Sequence, residues 1–135
     1  MTLQLSVAAR NALLDAIETA AGASAIMKIR TGAVPANCAA ADSGTVLATL
    51  NLPADWMAAA ASGAKAMSGS WQDASADAAG TAAHFRIYAS DGVTCHMQGT
   101  VTATGGGGDL IVDNTSFAAE QSFTISSFTL TAPAA

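Results

Sequence analysis

Positive charge is nearly missing from this chain. Its 135 residues include five Lys and Arg against ten Asp and Glu, a net charge of −5. None of the five lies beyond Arg86, and the charges after it are Asp91, Asp109, Asp113 and Glu120. A nucleic-acid binder needs a basic stripe to neutralise phosphates. Attraction to an anionic membrane surface also requires Lys or Arg clusters. The composition therefore argues against both as partners. Long apolar runs are missing as well. Ala58 to Ala61 is far below the roughly 18 residues that a membrane span needs. Met1 to Arg10 lacks the basic-then-apolar layout of a secretion leader, so synthesis in a cytoplasm is expected. Cysteine is represented only by Cys38 and Cys95, 57 positions apart. In a cytoplasmic product, such a pair is expected to stay as free thiols. Aromatic residues make up 5% of the chain, and 34 of its residues are Ala, so the 51% hydrophobic content overstates its core-forming bulk.

Catalytic motifs are missing too. Gly105 to Gly108 has no following Lys-Ser/Thr and opens no amphipathic helix, so it is not a phosphate loop. No serine stands in a G-x-S-x-G elbow. Asp73 with Asp77 and Asp109 with Asp113 lack the alternating oxygen ligands of a calcium loop. As glycosidase carboxylates they would need a cleft and a sugar-stacking wall. His84 and His96 fall short of the three or four ligands of a zinc site, and Cys95 is expected on the opposite strand face. No enzyme, cofactor or metal site is expected.

What is present is periodic. Ser6 reads as an N-cap and Gly22 as a C-terminal stop, which predicts a helix over residues 6–21. Ala9, Leu13, Ala16, Ile17 and Ala20 share one face at helical spacing and are expected to point inward. After Gly22 the period becomes two, with Ala25, Met27 and Ile29, and again with Val46, Ala48, Leu50 and Leu52 before Pro53. Residues 54–81 are less regular. Asp55-Trp56-Met57 and the following alanines read as helical turns, Ala64 to Trp71 as a short strand, and Asp73 to Gly80 as a loop. Trp56 and Trp71 are either core anchors or interface anchors, because Trp is enriched at contact hot spots.

A hairpin is expected over Ala82 to Thr104. A three-residue loop, Ser90-Asp91-Gly92 with Gly92 left-handed, pairs Ile87 with Cys95 and Phe85 with Met97 on one face. That register buries Cys95 beside Ile87 and turns His84, Arg86, Tyr88 and His96 outward. Leu110 and Val112 suggest a short strand. Gln121 to Thr131 reads as one strand with a bulge at Ser126-Ser127 that brings Phe123, Ile125, Phe128 and Leu130 to one side. The pattern predicts a mainly β chain: a single-domain antiparallel β-sandwich or jelly roll with one N-terminal α-helix. Residues 1–22 form the N-terminal segment and helix on that domain, and 23–135 form the sandwich.

Ala9-Arg10-Asn11-Ala12-Leu13-Leu14-Asp15, Met27-Lys28-Ile29-Arg30-Thr31-Gly32 and Gly44-Thr45-Val46-Leu47-Ala48-Thr49-Leu50 resemble a family of small virion proteins of tailed bacteriophages. Ala79-Gly80-Thr81-Ala82, Phe85-Arg86-Ile87-Tyr88, Asp109-Leu110 through Asn114-Thr115, and Gln121 to Leu130 carry the same similarity. It covers nearly the whole chain through structural phrases, not catalytic ones. The chain departs from it in the four-glycine run, in Glu120 and in its two cysteines. The resemblance implies a capsid decoration, or cement, protein in the virion, made in the bacterial host cytoplasm. Its partners would be the major capsid protein and neighbouring copies of itself. A homo-oligomer is expected, with the helix or edge strands at the contacts; dimer and trimer both remain open. Tail- or fibre-associated proteins and carbohydrate- or ligand-binding β-sandwich modules are the alternatives.

Overall fold

The structure, a computed structural model, describes residues 3–135. Met1 and Thr2 of the expected N-terminal segment lie outside the described residues. Strand content of 35% against 11% helix makes the chain mainly β with one helix. The helix, α1, runs Val7–Ala21. The Ser6 hydroxyl accepts the Ala9 N–H at 3.1 Å, and Gly22 closes the far end by donating its N–H to the Glu18 carbonyl.

The principal sheet has five strands: β1 (Ile26–Arg30), β2 (Val46–Asn51), β6 (His84–Tyr88), β7 (Cys95–Ala103) and β8 (Leu110–Val112), in the order β2-β1-β6-β7-β8. Three two-stranded ladders complete the fold. They pair β10 (Phe123–Ile125) with β4 (Trp71–Asp73), β11 (Thr129–Thr131) with β3 (Ala64–Ala66), and β5 (Gly80–Thr81) with β9 (Ser116–Phe117). The strands are not all antiparallel as expected. β8 runs parallel to β7, with Val101 opposite Leu110, and reaches it through a link of only six residues. Asp109 fixes that return by accepting the Thr100 N–H at 2.9 Å.

Alternation explains the core. Met27 pairs with Leu50 and Ile87, Ile29 pairs with Ala48 and Phe85, and all six are buried on one face. Trp56, Trp71, Phe123, Ile125 and Phe128 belong to the same apolar cluster. The expected bulge at Ser126-Ser127 is a break between strands. Both serines are exposed, and the chain leaves β4 for β3 there. The alanines after Met57 form no helical turns. Ala61 bridges Ala64 instead, in an antiparallel arrangement.

The central hairpin departs from the expected register. Ile87 faces Met97, Phe85 faces Gly99, and Tyr88 faces Cys95 across an irregularity that leaves His96 as the extra residue. Asp91 causes the change. Its carboxylate accepts the N–H groups of Val93 and Thr94 and the Thr94 hydroxyl, which lengthens the turn by a residue and leaves Val93 exposed. Cys95 consequently lies on the Tyr88 side and is half-buried, not in the core beside Ile87.

Gly92 has φ +69°, as the turn reading requires. A Cβ there would meet only Ile26 Cδ1, at 3.6 Å, so a substitution is strained by backbone conformation and not by crowding. Gly92→Val is expected to cost ~1–2 kcal/mol in chemical denaturation. An unchanged midpoint would contradict the turn.

Candidate interaction surface

The charged residues turn inward to an extent that the strand alternation does not suggest. Arg10, Arg30, Lys65 and Arg86 are buried, and Lys28 is half-buried. These are all five Lys and Arg of the chain. Carboxylates such as Asp55, Asp77, Asp91, Asp113 and Glu120 face solvent. Two inward clusters account for four of the five cations, and Lys28 donates to the Gly92 carbonyl beside the Tyr88 ring.

The first lies on the face of β1 and β6 expected to be solvated. Residues 31–45 fold across that face as a loop, and its base is closed by the Thr31 N–H to the Thr45 carbonyl and the Thr45 N–H to Thr31 Oγ1. Gly44 is needed at this closure, because a Cβ there would stand 1.9 Å from the Thr31 carbonyl oxygen. Arg86 is the anchor. It donates to Asp42 at 2.6 Å, to the carbonyls of Asn37 and Ala40, and to Gln98 Oε1. Asp42 also accepts from Arg30 at 3.1 Å and from the Tyr88 hydroxyl at 2.7 Å. Burial works against the Asp42 carboxylate, but the Tyr88 and Arg86 hydrogen bonds outweigh it and hold its pKa below the usual value. Burial, reinforced by Asp42, pushes Tyr88 up to about 12. His84 is fully buried, with Nδ1 2.8 Å from the Gly32 carbonyl, so its expected outward orientation is corrected by the loop that covers it. His96 is exposed, and His84 pairs with Thr100, so the two histidines do not converge.

The second cluster binds α1 to the body. Asn11, Asp15 and Glu18 recur every three to four residues and so share a helix face. They accept the backbone N–H groups of Gly63 (2.8 Å), Ala60 (3.0 Å) and Met57 (3.2 Å) respectively. Lys65 Nζ reaches from β3 to Asp15 at 2.6 Å and Glu18 at 2.9 Å. Arg10 donates to the Ala132 carbonyl through Nε and Nη2. The polar side of the helix thus supplies acceptors to three backbone N–H groups of residues 57–63, as buried N–H groups require. Leu14 and Ala21 are buried on this side.

That docking inverts the expected helix orientation. Leu13 was expected inside and is 50% exposed, while Val7 is 53% and Leu3 is 73% exposed. Ala8, Ala12, Ala16, Thr19 and Ala20 are exposed beside Leu13. The outer side of α1 is therefore an uncharged strip of small residues with apolar side chains, roughly 22 Å long at 1.5 Å per residue. The signal was present in the sequence: a polar Asn-Asp-Glu row opposite a side whose apolar residues are mostly Ala.

Trp56 and Trp71, the two candidate interface residues, are both fully buried. Their rings lie 6.0 Å apart, Trp71 packs on Phe128 at 5.5 Å, and Trp56 Nε1 donates to the Gly22 carbonyl. They are core anchors and offer no surface to a partner or a sugar. Comparison with family models, with curated proteins and with solved structures finds no match to this chain.

Three further surface features belong to the principal sheet. Among the described residues no strand pairs with the outer edge of β8, where Ile111 is exposed. The edge of β2 is blunted, because Asp73 accepts the Thr49 N–H and Asp77 donates its N–H to Leu47. A groove of about 430 Å³ runs beside Phe85, Met97, Asp109, Phe128 and Leu130. Its carboxylate, Asp109, is already engaged by Thr100. Among the described residues, no three His, Cys, Asp or Glu side chains gather in a metal-binding group, and no helix is long and apolar enough to cross a membrane.

Acid should weaken the fold before base does. Lys65 followed by the Ala60 N–H holds Asp15 below its usual value, and hydrogen bonds from Thr94 and Val93 bring Asp91 down to about 2. A depressed carboxyl stabilises above its unfolded value, near 4, and loses that contribution as pH falls through the folded value. Lys65 works in the opposite direction. Burial opposes its charge, but Asp15 and Glu18 raise its pKa overall, so its contribution is lost only above about pH 10. Melting temperature is expected to be flat from about pH 5 to 9 and to fall towards pH 2, with a smaller fall in Asp15→Asn. A melting temperature that holds down to pH 2 would contradict the assignment.

Proposed function

We propose that the protein is a non-enzymatic structural component of a tailed-phage virion, most directly a capsid decoration protein. The observation that carries this reading is the outward, uncharged face of α1. A helix whose polar row is consumed internally leaves its small residues free for close approach to a protein neighbour. Ala side chains lose almost no rotamer entropy on burial, so such a strip suits a contact repeated many times over a shell. The charge distribution supports a protein partner over a polyanion, since the exposed formal charges are carboxylates. We read the principal sheet and its facing ladders as a reduced form of the two-layer β-sandwich that the sequence resemblance implies.

In this reading the partners are the major capsid protein and further copies of the chain. Nucleic acid and membrane are not engaged, and the protein reaches the virion after synthesis in the bacterial cytoplasm. A tail or fibre position is the second reading within the particle. A sugar-binding role lacks the stacking surface that Trp56 or Trp71 would have supplied. The test adds purified protein to particles lacking it and images them. Saturable occupancy at capsid symmetry positions, with greater resistance to heat, is the expected result. Density confined to the tail would place the protein there instead, and no binding would overturn the virion assignment.

A further inference from the structure

Both cysteines are free and half-buried. The hairpin irregularity that takes Cys95 off the core face puts it opposite Tyr88, on the side covered by the 31–45 loop. The loop is held there at several points around Cys38. Arg86 binds the carbonyls of Asn37 and Ala40, Gln98 Nε2 donates to the Pro35 carbonyl at 2.7 Å, and Asp42 takes the Tyr88 hydroxyl. That clamp holds Cys38 over the strand face that carries Cys95, and Cys38 is among the groups that raise the Cys95 pKa. Two thiols distant in sequence are thereby brought together by polar contacts that do not depend on a bond between them. Such an arrangement favours intramolecular reaction over capture of outside thiols, because the partner is already in place.

We propose that Cys38 and Cys95 are a redox modification site, closed to a disulfide by a small-molecule disulfide such as oxidised glutathione, and that closure fixes the 31–45 loop to β7. In the first exchange the Cys38 thiolate attacks the oxidant. The glutathione S–S bond breaks, a Cys38–glutathione bond forms, and one glutathione thiolate leaves. In the second, Cys95 loses its proton to solvent and attacks the Cys38 sulfur, releasing the other glutathione. Two protein thiols are oxidised and one glutathione disulfide is reduced to two thiols. Burial, then the adjoining Cys38 thiol, pushes Cys95 up to about 11, which makes it a poor first attacker and assigns it to ring closure. The closed form constrains a long loop of the unfolded chain and is therefore the more stable one.

The test incubates the full chain with oxidised glutathione, alkylates remaining thiols under denaturing conditions, and reads intact mass and melting temperature. A monomer lighter by two hydrogens, without alkylation, and with melting temperature raised on the order of 10 °C is expected. A reductant should reverse both changes. Cys95→Ser should stop at one glutathione adduct and keep the melting temperature of the reduced protein, and linked peptides from the wild type keep the test valid if that variant folds poorly. Persistent glutathione adducts on the wild type, disulfide-linked dimers, or two thiols that stay alkylatable throughout would each overturn the proposal.

Discussion

Trp71→Ala is expected to destabilise the protein by about 3–5 kcal/mol, the range for removing a buried aromatic side chain. The residue is fully buried and joins two parts of the core. Its ring packs on Trp56 and Phe128, and Phe128 meets Phe85 of the principal sheet edge-on at 5.6 Å. Its Nε1 donates to the carbonyls of Trp56 and Ser68, at 3.1 and 3.2 Å. Truncation would leave a cavity between the sheet and the β4/β10 ladder, and in an aromatic-poor chain few neighbours are large enough to fill it. Trp71→Phe separates the two contributions. It keeps most of the ring volume but removes the indole N–H from both carbonyls, of which Trp56 keeps the Ser68 N–H, and about 1–2 kcal/mol is expected. Urea denaturation measures both variants. A loss under 1 kcal/mol for Trp71→Ala would show that the ladder does not depend on this contact.

Arg86→Ala is expected to cost about 3 kcal/mol, the lower part of the range for removing one partner of a buried ion pair. The side chain is 2% exposed and serves four acceptors, two of them loop carbonyls. The Asp42 side chain is 38% exposed, so water can partly rehydrate it after the loss, which keeps the cost from the upper end. Lysine restores charge but not the planar fork that reaches Asp42, Asn37, Ala40 and Gln98 together, so Arg86→Lys should recover less than half of the loss. Hydrogen exchange distinguishes this from a general weakening. Amides of residues 31–45 should lose protection under conditions where those of β1 and β2 remain protected. Uniform loss across the chain would contradict the anchor role.

Local signals gave the sequence reading its accurate parts. The Ser6 cap and Gly22 stop bracket α1, and period-two alternation locates β1, β2, β6 and β7. Two of the errors share one physical origin, the assumption that polar residues face water. Arg30, His84 and Arg86 alternate correctly with Ile29, Phe85 and Ile87, yet a loop covers their face as well, so alternation marks two environments without marking which is wet. In α1 the same assumption chose Leu13 over the Asn11-Asp15-Glu18 row. The opposite side is mostly Ala and offers little burial gain, while three backbone N–H groups at 57–63 need acceptors. The hairpin register failed because Asp91 adds a residue to the turn through its own side chain, a local contact that the pairing of apolar residues does not register. The tryptophans left both core and interface open, and packing of Trp56 against Trp71 decides for the core. The return of β8 along β7 depends on Asp109 holding Thr100, a contact invisible to hydrophobic patterning.

The central claim is that the outer strip of α1 is the contact face of a particle component. Ala16→Arg with Ala20→Arg places two long cations on that strip, at exposed positions neither three nor four residues from Asn11, Asp15 or Glu18. Exposed helix positions of this kind usually change stability by less than ~0.5 kcal/mol each. The measurement is occupancy of this double variant on particles lacking the protein, read beside the wild type by electron microscopy. The account predicts a variant that melts as the wild type does and leaves the capsid positions empty, whereas full occupancy by a normally folded variant would contradict it.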